Sequence, residues 1–136
     1  MQIYSEEQVN TFTAGTQDSP SVTVLADGSY VVAWVSYDQD GVNSYGIYAQ
    51  RFSSSGIPMG PEFLVNSTVS GNQTDPSIAA LADGGFVITW QDNSGADGSG
   101  DGIFSQRYDA AGEAVGAETL VTTVTTSGQN SAEVVA

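Results

Sequence analysis

The sequence contains no lysine, no histidine and no cysteine, and its only cations are Arg51 and Arg107. These absences remove whole classes of chemistry. Without cysteine there is no disulfide framework, no zinc–thiolate site and no thiol nucleophile, and cysteine usage leaves the redox compartment open. Without histidine or lysine neither a Ser-His-Asp triad nor a Schiff base can be built. Sixteen carboxylates against two arginines give a net charge of −14. Such a surface repels nucleic acid and anionic membranes, because both are bound by Lys and Arg side chains that displace counterions. No apolar run is long enough to cross a bilayer, and Met1–Glu7 lacks the basic and apolar segments of a secretory signal. A carboxylate pair for glycoside hydrolysis is the catalytic arrangement that the inventory still permits. Nothing in the sequence sets two acids apart by an apolar setting, so the chain is expected not to be an enzyme.

Leucine is also scarce, with 4 residues against 15 valines, and a Val-, Thr- and Ser-rich composition suits pleated strands better than helices. The most informative feature is an internal duplication: residues 17–66 recur at 73–122, displaced by 56 positions without a gap. Gln17, Pro20, Leu25–Gly28, Trp34, Gly46-Ile47, Gln50-Arg51, Gly56, Gly60, Glu62 and Leu64-Val65 have counterparts at Gln73, Pro76, Leu81–Gly84, Trp90, Gly102-Ile103, Gln106-Arg107, Gly112, Gly116, Glu118 and Leu120-Val121. A fixed period of this kind marks stacked supersecondary units, none of which buries its apolar surface alone.

Within each unit the pattern predicts four antiparallel strands. Ser21–Ala26 and Ser29–Ser36 flank Asp27-Gly28, a hairpin signal repeated at Asp83-Gly84 and expected to place both turn residues at positive φ. Tyr30, Val32 and Trp34 share one face of the second strand, matched by Phe86, Ile88 and Trp90, while Val31, Ala33 and Val35 or Val87, Thr89 and Gln91 share the other. Third strands are expected at Gly46–Phe52 and Gly102–Tyr108, and fourth strands at Glu62–Asn66 and Glu118–Thr122. Ala110–Leu120 has helical character on its own, but its counterpart Ser54–Leu64 carries Pro58 and Pro61, which a helix interior does not accept.

Four strands with apolar residues on both faces match a β-propeller blade, and a two-sheet β-sandwich is the compact alternative. The phase of the ends divides the chain into residues 1–16, the last strand of a preceding unit; 17–72, the first repeat; 73–128, the second; and 129–136, the first strand of a following unit. Two blades do not close a ring. The expected partners are therefore further repeats of a longer chain, or other copies in a homo-oligomer that completes the ring.

The pattern Pro-Ser-(Val/Ile), Leu-Ala-Asp-Gly-x-(Tyr/Phe)-Val and Trp, followed by Gly-Ile-(Tyr/Phe)-x-Gln-Arg-(Phe/Tyr), two glycines and Glu, resembles the tandem propeller-like repeats of very large bacterial secreted or surface proteins. Such repeats often accompany calcium-binding RTX arrays. The resemblance implies a propeller-like repeat, a bacterial origin and export by a type I route, hence an extracellular or cell-surface setting. It names no activity, and the glycine-rich nonapeptide of RTX coils does not occur in the sequence.

Candidate sites follow from the residues themselves. Asp38, Asp40 and Asn43 in one loop, and Asp92, Asp97 and Asp101 in the other, offer hard oxygen ligands on glycine-containing segments, as Ca²⁺ prefers; the plainer reading is Asx turns. Arg51 with Glu62, and Arg107 with Glu118, are expected to form cross-strand ion pairs, with an anionic-ligand site as the alternative. Trp34, Tyr48 and Gln50, with Trp90, Phe104 and Gln106, form an aromatic and amide set able to hold a sugar between blades. Core packing and interstrand bonding are the simpler roles for them. Two functions follow: a structural or adhesive module, with calcium as its one candidate cofactor, and a lectin with repeated glycan pockets.

Overall fold

The computed structural model describes residues 8–10, 15–37, 39, 44–66, 72–93 and 102–121. These form eight strands: β1 (Gln17–Val24), β2 (Tyr30–Tyr37), β3 (Tyr45–Phe52), β4 (Phe63–Leu64), β5 (Gln73–Ala80), β6 (Phe86–Asp92), β7 (Gly102–Tyr108) and β8 (Ala114–Leu120). They build two four-stranded antiparallel sheets, ordered β1-β2-β3-β4 and β5-β6-β7-β8. No helix occurs among the described residues. Each copy of the repeat is thus one sheet, and the β2–β3 register (Trp34 opposite Tyr48) reappears in β6–β7 (Trp90 opposite Phe104).

The hairpin turns differ from the expected two-residue form. Gly28 (φ 86°) and Gly84 (φ 88°) adopt positive φ, but Asp27 and Asp83 do not. Leu25 N–H donates to Ser29 O and Gly28 N–H to Leu25 O, which closes a three-residue loop with glycine in the left-handed position. The aspartate serves as a cap: Asp27 Oδ1 accepts from the Ser29 amide, and Asp83 Oδ1 from the Gly85 amide, each at 2.9 Å. Ser53–Ile57 and Asp109–Glu113 close by the same pair of backbone bonds, with Gly56 and Gly112 at φ 87° and 85°.

The fourth strands also depart from expectation. β4 is two residues long, because Pro58 and Pro61 remove donors from its ladder, whereas β8 has alanine at both counterpart positions and extends back to Ala114. The segment that reads as helical is therefore strand.

Packing of the sheets is front to back. The core joins Val31, Ala33, Val35, Ile47 and Ala49 of the first sheet to Ile78, Phe86, Ile88, Trp90, Phe104 and Tyr108 of the second. By strand alternation the first group is one face of its sheet, which we call the back. The second group is the opposite face, the front, since its counterparts are Val22, Tyr30, Val32, Trp34, Tyr48 and Phe52. Stacked rings line both fronts: Tyr30 on Phe52 at 5.1 Å and Phe86 on Tyr108 at 4.8 Å. Phe63 of the first unit closes on Tyr108 at 5.5 Å across the seam.

Burial beneath the first sheet, with the Glu118 carboxylate as the lesser cause, pushes the Tyr108 phenol well above the ordinary tyrosine range. The unfolded chain ionises near pH 10. Stability is therefore full below that pH and falls as pH rises beyond it, because only the unfolded state releases the proton readily. Tyr108→Phe, which installs the residue found at the counterpart Phe52, is expected to flatten this alkaline loss. Melting temperatures between about pH 9 and 11 would check it.

Candidate functional site

The strongest polar geometry lies along the seam between the sheets. Asn66, buried, accepts from the Ile47 amide at 2.7 Å and donates to Gln73 Oε1 at 3.1 Å, tying β3 of one unit to β5 of the next. Asn72 Oδ1 accepts from the Tyr45 amide at 3.1 Å. Ahead of the first sheet, Asn10 donates to Gln17 Oε1 at 3.2 Å and repeats the Asn66–Gln73 bond. Sequence reading overlooked this seam, although the recurrence of Asn10 and Gln17 at Asn66 and Gln73 was its visible signal.

Arg51 completes the seam. Its side chain is 8 % exposed, and its guanidinium donates to Ala111 O at 2.9 Å and Ala110 O at 3.1 Å in the β7–β8 turn. Gly112 in that turn is needed twice over: φ is 85°, and a Cβ there would lie 2.7 Å from Arg51 Nη1. Arg107, the counterpart, instead pairs with Asp83 Oδ2 at 2.7 Å and is 55 % exposed. The expected Arg51–Glu62 and Arg107–Glu118 pairs do not form. β3 pairs with β4 as Tyr48 opposite Leu64 and Ala49 opposite Phe63, and one more step places Glu62 beside Gln50. Glu62 is thus on the face opposite Arg51, where it accepts from Gln39 at 2.8 Å. Glu118 falls on the Gln106 and Tyr108 face for the same reason.

The expected ligand sets are placed on the two fronts. Gln50 Nε2 donates to Arg51 O and Gly60 O, and Gln106 Nε2 to Arg107 O and Gly116 O, so these amides bind the incoming fourth strand. Trp90 and Phe104 are buried under the first sheet, and Trp34 and Tyr48 are buried as well. The indole N–H groups of both tryptophans find no partner among the described residues. Of the expected calcium ligands, Asp38, Asp40, Asn43, Asp97 and Asp101 lie outside the described residues. Asp92 is buried at the end of β6, opposite Gln73. Among the described residues no three acids group as a metal site.

Asp83 is held below the usual carboxylate range by the Gly85 amide and then by Arg107; Asp27 is held low by the Ser29 hydroxyl and amide. A general acid for glycoside cleavage needs the opposite displacement.

Among the described residues the two copies differ in exposure at the β1 edge of the first sheet's front and on the back of the second sheet. On the front of the first sheet a shallow pocket is lined by Val9, Asn10, Gln17, Asp18, Pro20, Val32 and Trp34. On the back of the second, another is lined by Leu81, Ala82, Asp83, Val87 and Arg107. Val22 is 61 % exposed where its counterpart Ile78 is 7 % exposed. Val87 and Ile103 are half-buried where Val31 and Ile47 are fully buried.

No family model and no curated protein matches the chain. Two solved structures resemble it in fold. One is a protein of unknown function from Dyadobacter fermentans, with a TM-score of 0.52 and 16 % identity over 74 % of this chain and 35 % of that one. The other is an endo-arabinase from Bacteroides thetaiotaomicron, with a TM-score of 0.56 and 19 % identity over 83 % of this chain and 45 % of that one. The chain spans less than half the length of either.

Proposed function

We propose that the chain is a non-catalytic structural repeat module of β-propeller-blade type, serving in a larger extracellular or cell-surface bacterial assembly as a scaffold or adhesive segment. The observation that carries this reading is the front-to-back seam. In a sandwich of two duplicated sheets related by a two-fold axis, like faces meet and the stack ends there. Here unlike faces meet, front against back, which is the order in which successive blades stack. The polar groups expected to bind ligand are engaged by backbone instead: Gln50, Gln106 and Arg51 all donate to carbonyls. The secreted setting rests on the resemblance of the repeat pattern to large bacterial surface proteins, and a carbohydrate-binding or arabinan-cleaving role is the alternative to test.

The test uses the full chain with arabinan and a glycan array. The expected result is no release of reducing ends and no saturable binding. Sugar seated at the Trp34 and Trp90 positions, or hydrolysis of arabinan, would replace the structural reading with a lectin or an enzyme. Melting in Ca²⁺ and in EDTA addresses the acidic loops separately, and an unchanged midpoint would remove calcium from the proposal.

A further inference from the structure

We infer that residues 129–136 of the same chain seat as a strand on the back of the second sheet, as β5 seats on the back of the first, and act as a latch on the second repeat. The inference rests on the blade-type reading above and extends it by one contact. Residues 122–136 themselves lie outside the described residues.

Two independent observations carry it. The first is a back that is covered in one copy and not in the other. Leu25, Val31, Ile47 and Val65 are at most 5 % exposed, whereas their counterparts Leu81, Val87 and Ile103 are half-buried and Val121 is 51 % exposed. The second is the identity of the covering strand. β5 is the strand of the second unit that lies along the first sheet, against β1, β2 and β3, and its Ile78 shares a core with Leu25, Val31, Ile47 and Val65. Residues 129–136 write that strand again, with Gln129, Val134 and Ala136 at the places of Gln73, Ile78 and Ala80. By alternation Ala132, Val134 and Ala136 share the face that corresponds to Pro76, Ile78 and Ala80, while Glu133 points away. The strip turned to the sheet thus carries no charge, as an apolar back requires.

The latch is held less firmly than β5. In the first seam Asn66 bridges the Ile47 amide and Gln73, and Asn72 accepts from the Tyr45 amide. Their counterparts are Thr122 and Gly128, so Gln129 is retained without the amide side chain that would bond it. The apolar contact of Val134 is left as the main hold. A strand held in this way opens locally and returns while the sheet beneath it stays folded.

The test uses the full chain, which has no cysteine of its own and so takes a single spin label at Glu133→Cys. The label is expected to broaden the amide resonances of Val87 and Ile103 and to spare those of Tyr30 and Val32, two layers away. Val134→Asp is expected to abolish the broadening while the resonances of β2 and β6 stay dispersed, which shows that both sheets remain folded. Thr122→Asn restores the missing bridge and is expected to raise the melting temperature by roughly 3 °C, the shift due to one hydrogen bond. This gain keeps the proposal open to refutation even where Val134→Asp unfolds the chain. Absence of broadening, broadening that survives Val134→Asp in a folded chain, or no gain from Thr122→Asn would each overturn it. So would broadening that appears in unlabelled copies mixed with labelled ones, since the occupant would then be a second copy. The two readings fail apart: a missing latch without glycan binding leaves the structural role standing, whereas saturable glycan binding overturns that role whatever the label reports.

Discussion

Ile78→Asp is expected to abolish folding or to lower the unfolding free energy by at least about 4 kcal/mol, while Val22→Asp, at the same place in the other copy of the repeat, shifts a dilute sample by about 0.5 kcal/mol or less. The two positions are equivalent by sequence, each opposite its own β-branched partner: Val22 pairs with Val32 and Ile78 with Ile88. Only the neighbour differs. Ile78 belongs to the core beneath Val31, Ala33 and Ile47 of the first sheet, whereas Val22 faces outward. The substitution removes roughly 2 kcal/mol of apolar burial and then forces a carboxylate into a seam with no cation of its own, since Arg51 is engaged with the β7–β8 turn. A buried, unpaired charge adds several kcal/mol more or raises its own pKa until it is neutral. Against a total stability of about 5–15 kcal/mol for a domain of ordinary size, the loss leaves little folded protein. Urea unfolding followed by Trp34 and Trp90 fluorescence gives both numbers. Equal effects at the two positions would mean that the seam does not hold the sheets together.

How far this arrangement is legible in the sequence depends on the range of the contact. Strand identity, the turn glycines and the two faces of β2 and β6 follow from local alternation and from the 56-residue shift, because the side-chain period in a strand is fixed by backbone geometry. The pairing of sheet faces is not local. Val31 and Phe86 meet although they come from non-equivalent faces, and nothing within one repeat says whether like or unlike faces will join. The arginines show both limits. That Glu62 cannot reach Arg51 depends on the β3–β4 register, which sets Glu62 beside Gln50, one residue out of phase, and strand patterning alone does not give that register. That Arg51 instead reaches Ala110 and Ala111, about sixty positions along the chain, is beyond strand patterning as well. The turn geometry fell between these cases. Asp-Gly correctly marked the hairpin, but Asp27 caps the Ser29 amide and only Gly28 of the pair stands at positive φ. The unaligned acids of the two long loops obey no repeat register, so periodicity offered no means of placing them.

Arg51→Met is expected to destabilise the chain by about 2 kcal/mol, the value of charge-assisted hydrogen bonds to partly shielded carbonyls, and Arg107→Met by less than about 0.5 kcal/mol, as for an exposed ion pair. Methionine retains most of the apolar stem that Arg51 buries, so the measured loss reports the guanidinium contacts and not a cavity. The opposing term is the burial of Arg51 Nε, which has no partner among the described residues; its removal returns part of the loss and keeps the net figure below the sum of two strong hydrogen bonds. A double-mutant cycle with Gly112→Ala isolates the contact. Alanine at Gly112 meets two penalties, the left-handed backbone and a methyl group 2.7 Å from Arg51 Nη1, and only the second depends on the arginine. On an Arg51→Ala background, which removes Cδ together with the guanidinium, the alanine should therefore cost about 1 kcal/mol, the backbone penalty alone, and on the wild-type background clearly more. Strict additivity would show that Arg51 does not rest on this turn.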